Sequence, residues 1–226
     1  MPQQNSYFST PPVVLNLIII NLLFFLAQSF LPIGNAMTYN LSLHYVTSPD
    51  FHIWQLVTYM FLHGGTAHIF TNMFALWMFG RQLEYDLGPK RFLIYYMVCG
   101  IGAGLLQLLV NWIQISVMQS SGASPVVIAQ IAGGITIGAS GAIFGVLLAF
   151  GMLHPNARIM LLFPPIPMKA KYFVIGYGVI ELLWGIAGTS SITNVGGGIA
   201  HFAHVGGMLW GFILLRYWKR KGKIYY

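Results

Sequence analysis

Charge is what this chain has least of. Asp and Glu together number 4 in 226 residues, and charged residues of all kinds make up 7%, against about 25% in a soluble domain. Such scarcity excludes an ordinary water-soluble fold. A single cysteine, Cys99, excludes an internal disulfide. No HExxH segment is present, which removes the commonest zinc-hydrolase pattern. No Lys or Arg precedes Arg81. The first apolar run therefore lacks the basic flank of a secretory signal and reads as a retained helix.

Apolar residues make up 57% of the chain. They fall into runs near the ~20 residues that span a hydrocarbon core as helix. The spacing predicts an all-α polytopic membrane protein, a single domain over 1–226, with six transmembrane helices at 13–31, 66–80, 92–113, 138–153, 172–187 and 198–215. Residues 32–65 carry many aromatics and read as a segment lying in the membrane interface. Residues 114–137 and 188–197 are uncharged and read as loops, whereas 158–171 reads as a proline-rich turn. The fourth run is too short to cross the core alone.

The formal charge of +7 would suggest nucleic acid in a soluble protein. All the Lys and Arg residues, however, fall in 81–91, 158–171 and 216–223. With six spans these segments share one face. By the positive-inside rule that face is cytoplasmic, with both termini inside. The charge is thereby explained without a nucleic-acid partner; the bilayer is the partner that the layout requires.

This topology sets depths. His68 and Asn72 lie in the first turns of the second span, Ser140 at the start of the fourth, and His204 about eight residues, or ~12 Å, into the sixth. All four belong to the outer half of the membrane. Ser140 stands between Gly138 and Gly141, where a glycine-rich loop meets an apolar helix. Gly141 and Gly145 are four apart, as are Gly207 and Gly211, and such small-residue faces allow close helix approach in lipid. His204 shares a face with Gly207 and Gly211, which directs it toward Ser140.

A serine needs a base to be nucleophilic at neutral pH, and histidine is the usual one. None of the four acids, Asp50, Glu84, Asp86 and Glu181, is well placed to orient that histidine. The reading is therefore a Ser140–His204 dyad, with Phe144, one turn below the serine, stacking on the imidazole. Donors to an oxyanion would be the Ser140 N–H, the Asn72 amide and the His68 ring. Glu181, inside the fifth span, finds no role in this scheme beyond a hydrogen bond within the bundle.

The residues GASG around Ser140, HFAHVGGMLWG around His204, and HGGTAHIFTNMFALWMFG over 63–80 followed by LE…LGPKRF resemble the rhomboid intramembrane serine proteases. The resemblance implies Ser140 as nucleophile, His204 as general base, and His68 and Asn72 as oxyanion donors. It implies no cofactor or metal, a transmembrane protein as substrate, the 188–197 loop as a cap, the fifth helix as a lateral gate, and a bacterial inner membrane. Two departures stand out: Gln55 where many relatives carry arginine, expected to weaken a stabilising network, and Phe144 where some relatives have tyrosine.

Three other readings stay open at this point. A zinc site could recruit His63, His68, His201 and His204. A non-catalytic relative could bind transmembrane helices without cutting them. A transporter would require polar residues along a whole path, whereas here they stop in the outer half. His44, His52 and His154 read as interface or loop residues.

Overall fold

The computed structural model describes residues 10–160, 166–190 and 201–224. Its helices are α1 (Pro12–Phe30), α2 (Gly34–Leu41), α3 (Gln55–Thr58), α4 (Thr66–Ala75), α5 (Arg81–Leu87), α6 (Pro89–Ser120), α7 (Pro125–Ala132), α8 (Ser140–Leu153), α9 (Ala170–Ser190) and α10 (His201–Arg220). A π-helical turn, Leu76–Gly80, joins α4 to α5 without a break. A helix lies at each of the six predicted spans. Three of them, α1, α6 and α9, are both long and apolar enough to cross a membrane, and α8 is a shorter apolar helix. At 14 residues α8 is about 21 Å long, well short of a hydrocarbon core.

The core is built where α6, α8 and α10 meet. Helix α8 buries residues around its whole circumference, including Gly141, Phe144, Gly145, Val146, Leu147 and Ala149, as expected for a helix apolar on every side. Its backbone touches its neighbours through small residues. A Cβ added at Gly207 would overlap the Gly141 carbonyl oxygen, and one added at Gly145 would overlap Cys99. The remaining helix faces carry the lipid-compatible surface: Leu15, Leu23 and Leu26 on α1, Leu109 and Trp112 on α6, and Ile175, Val179 and Leu183 on α9 are exposed.

Helix α1 opens at Pro11-Pro12, with proline at its first position, where the missing N–H costs nothing. Its free N–H groups are capped from a distant part of the chain. Val13 N–H and Val14 N–H donate to the two oxygens of Glu84 at 3.0 and 2.8 Å. The buried carboxylate faces the positive end of the helix dipole. This contact ties the N-terminal helix to α5.

The interfacial segment is ordered around Gln55, which is fully buried. Its Oε1 accepts from the His44 and His52 N–H groups at 3.3 and 3.2 Å. Its Nε2 donates to the Asn40 and Asp50 carbonyls at 3.1 and 2.8 Å. At this departure from the arginine of many relatives the chain has a neutral hub that uses both the donor and the acceptor side of the amide.

Several boundaries differ from expectation. The second helical stretch continues beyond residue 80 through the π-turn to Leu87. Helix α6 runs to Ser120, and α7 occupies Pro125–Ala132 within the segment read as a loop. There Ser124 caps α7, accepting from the Val126 N–H with Pro125 at the first turn; serine and proline mark a helix start as readily as a loop. The proline-rich turn contains a hairpin, β1 (Arg158–Met160) with β2 (Pro167–Lys169), pairing Arg158 with Lys169. The 188–197 cap falls mostly outside the described residues.

Replacement of Gly207 by alanine would force α8 and α10 apart. The expected outcome is a loss of about 1–3 kcal/mol, read as a lower unfolding temperature of Gly207→Ala in detergent. An unchanged temperature would contradict the close approach.

Candidate active site

Backbone hydrogen bonds hold the loop before α8. Leu43 and Thr136 exchange hydrogen bonds of 3.0 and 2.9 Å, and the Gly138 N–H donates to the Tyr59 carbonyl at 2.9 Å. Gly138 has φ +126°, a conformation that L-residues rarely adopt. This turn delivers Ser140 as the first residue of α8. Its N–H belongs to the first helical turn, whose donors have no intrahelical acceptor.

His204 lies on α10, and its Nε2 is 2.8 Å from Ser140 Oγ. Phe144 stacks on the imidazole with centroids 4.1 Å apart and planes 8° from parallel. Tyr177 of α9 stacks on Phe144 in turn at 5.1 Å. Phe144 therefore sits where the sequence expects it and restricts ring tilt.

The expectation that no acid can orient His204 is not met. Glu181 Oε2 lies 2.8 Å from His204 Nδ1 and 2.6 Å from His201 Nδ1. The physical reason is depth: Glu181 stands in the half of α9 nearest Ser190. That half lies beside the beginning of α10, so the carboxylate comes level with both imidazoles. The signal was available in the fifth helix's opposite direction to the sixth, and it needed only a register between them. A carboxylate on Nδ1 assigns the proton to that nitrogen, which leaves the Nε2 lone pair toward the serine hydroxyl.

His68 and Asn72 share one side of α4. The Gly64 N–H donates to His68 Nδ1 at 3.3 Å, so in the neutral ring the proton rests on Nε2. That nitrogen would lie 2.9 Å from a Cβ at Gly138, and Ser140 Oγ would lie 3.6 Å from the same point. An N–H donor and the serine hydroxyl thus flank Gly138. Asn72 is buried, and its Nδ2 has no hydrogen-bond partner among the described residues. Together these groups place a hydroxyl within hydrogen-bond reach of an imidazole, with N–H donors nearby.

Glu181, His201 and His204 also present one donor atom each, all within 4.8 Å of one another. Two imidazoles and a carboxylate are a zinc-compatible set; here they bond to each other. The four-histidine cluster does not assemble as a metal group among the described residues. His63 instead packs edge-on against His68, with centroids 5.0 Å apart. His154 bonds to Asp86 at 2.6 Å. His44 bonds to the Tyr39 carbonyl, and His52 stacks on Trp54.

A family model described as the rhomboid domain matches residues 50–221. The chain is 31% identical over 166 residues to RHOMBOID-like protein 1 of Arabidopsis thaliana, covering 72% of this chain and 33% of that protein. It is 32% identical over 153 residues to Rhomboid protein 1, mitochondrial, of Saccharomyces cerevisiae, covering 68% and 38%. It is also 32% identical over 159 residues to Rhomboid protease GluP of Bacillus subtilis, covering 70% and 25%. The matched region thus spans well under half of each relative.

His63, just before α4, is buried, and both its ring nitrogens lack partners among the described residues. Burial, aided by His68, pushes its pKa down from 6.5 to about 4. The folded state holds the ring neutral, so this contribution is complete above pH 6.5 and is lost as pH falls toward 4. Unfolding temperature should fall across that window by the equivalent of about 1–3 kcal/mol. His63→Gln should flatten that part of the curve; identical curves for the two proteins would refute the assignment.

Proposed function

The chain belongs to the rhomboid family, and we propose that it is an intramembrane serine endopeptidase that cuts transmembrane segments of single-pass membrane proteins. The observation that carries this reading is the 2.8 Å approach of His204 Nε2 to Ser140 Oγ. In the proposed reaction His204 takes the hydroxyl proton as Ser140 attacks the scissile carbonyl. The Ser140 N–H, His68 Nε2–H and Asn72 amide receive the oxyanion. His204 then passes the proton to the leaving amine as the C–N bond breaks, and water hydrolyses the acyl-enzyme. No step calls for a cofactor.

The chain is an integral membrane protein. In this reading it forms one membrane domain with six spans, and the cation-bearing face and both termini lie in the cytoplasm. The Glu84 cap supports that arrangement, because it brings the start of α1 to α5, within the first cationic segment. Ser140 then opens toward the outer side. Helical backbone is hydrogen-bonded internally, so a substrate has to unwind locally, which favours Gly, Pro or small residues near the cut. The relatives come from a plant, a yeast mitochondrion and a bacterium, so the bacterial inner membrane is one of several membranes that hold related proteins. The non-catalytic alternative loses ground because the hydroxyl, base and donors are all retained.

Labelling by a fluorophosphonate in detergent tests the reading. Wild type should label; Ser140→Ala should not, and His204→Ala should label at least about 100-fold more slowly. A folded wild type that fails to label would favour the non-catalytic helix binder.

A further inference from the structure

The four carboxylates of this chain have different partners. Glu84 caps α1, Asp50 bonds to Tyr39, and Asp86 bonds to Gln82 and His154. Among the described residues, the side-chain hydrogen bonds of Glu181 run to two histidines of the candidate site. It is buried, together with His204. An acid at this depth is costly unless it is partnered and used.

Resting on the serine-protease reading, we infer that Glu181 is the positioning residue of a Ser140–His204–Glu181 triad, with His201 holding the carboxylate in place. The inference turns on which nitrogen each contact touches. Phe144 restrains the plane of the His204 ring, but stacking cannot choose between tautomers. The carboxylate on Nδ1 does choose: it keeps the proton on that nitrogen and leaves Nε2 free to accept from Ser140. It also stands 2.8 Å from the imidazolium that forms when the serine proton arrives. Throughout the cycle the proton moves from Ser140 Oγ to His204 Nε2 and on to the leaving amine. Glu181 stays ionised and gains no proton.

His201 gives the carboxylate a second anchor. Both Nδ1 atoms bond to the same oxygen, Oε2, so the carboxylate cannot turn from His204 without also breaking its bond to His201. A carboxylate that merely joined α9 to α10 would be satisfied by His201 alone. The added bond to His204 is what a positioning role requires. The triad is shared among three helices, with the nucleophile on α8, the base on α10 and the acid on α9.

The test is Glu181→Gln in the full chain, which keeps size and removes charge, with Glu181→Asp and Ser140→Ala beside it. Turnover of a transmembrane reporter, fluorophosphonate labelling rate and unfolding temperature are measured for each. The expected result for Glu181→Gln is a kcat lower by roughly 10²–10⁴-fold, with KM and unfolding temperature close to wild type. Labelling should slow in parallel, and Glu181→Asp should recover part of the rate. Wild-type kcat in Glu181→Gln would overturn the inference. So would a kcat loss that follows a fall in unfolding temperature and is equalled by His201→Gln, since that marks a structural tie. Stoichiometric zinc in purified wild type would assign the three donors to a metal and overturn it too. Labelling of wild type and Glu181→Gln at equal rates, with none in Ser140→Ala, removes the triad and keeps the serine protease. Absence of labelling in folded wild type removes both.

Discussion

A polar group held at membrane depth has no bulk water to turn to, so its partner has to come from the protein. That constraint organises this molecule. The Glu84 carboxylate meets the free N–H groups of α1, the Gln55 amide meets four backbone groups, and Glu181 meets two imidazoles. Two of these join different helices, α1 to α5 and α9 to α10, and Gln55 closes the segment 40–55 on itself. The few polar residues of an apolar chain thus act as its fasteners, and apolar packing fills the space between them.

The site follows from the same constraint. A hydroxyl, two imidazoles and a carboxylate from three helices are collected around a short α8 that does not reach across a full bilayer. Below them the backbones of α6, α8 and α10 come together through glycine, alanine and cysteine. Hydrogen bonding supplies the direction of the reactive groups. Close packing in the layer beneath supplies their separation. Neither would be sufficient alone, because a well-directed imidazole on a displaced helix would miss the serine.

Much of this was legible in the sequence. The apolar runs marked where helices lie, and three of those helices are long and apolar enough to cross a membrane. The motifs named Ser140 and His204 as a pair, and the two side chains lie 2.8 Å apart. For Glu181 the sequence supports no more than a hydrogen bond within the bundle, because its partners depend on the rotation of α9 against α10, and an apolar helix carries little pattern to fix rotation. The resemblance marks Gln55 only as a departure from arginine, and its four backbone partners follow from the fold of 40–55, which residue type does not encode. The hairpin at 158–169 and helix α7 were missed because Pro and Ser mark turns and helix starts alike. The close approach of Gly207 to Gly141 was anticipated as a face, but its tightness appears only when a side chain is built there.

On the proposed serine-protease reading, that tightness bears on how such a chain could lose its chemistry in evolution. Position 207 has no side chain and contributes no charge, yet it sets the distance between the two helices that bear Ser140 and His204. A variant altered there would keep its serine, its histidines and its carboxylate, and an inventory of reactive side chains would still count it as an enzyme. Loss of function in this architecture can therefore be written entirely in hydrogen atoms turned to methyl groups, at sites where the unaltered residue has no side chain to inspect.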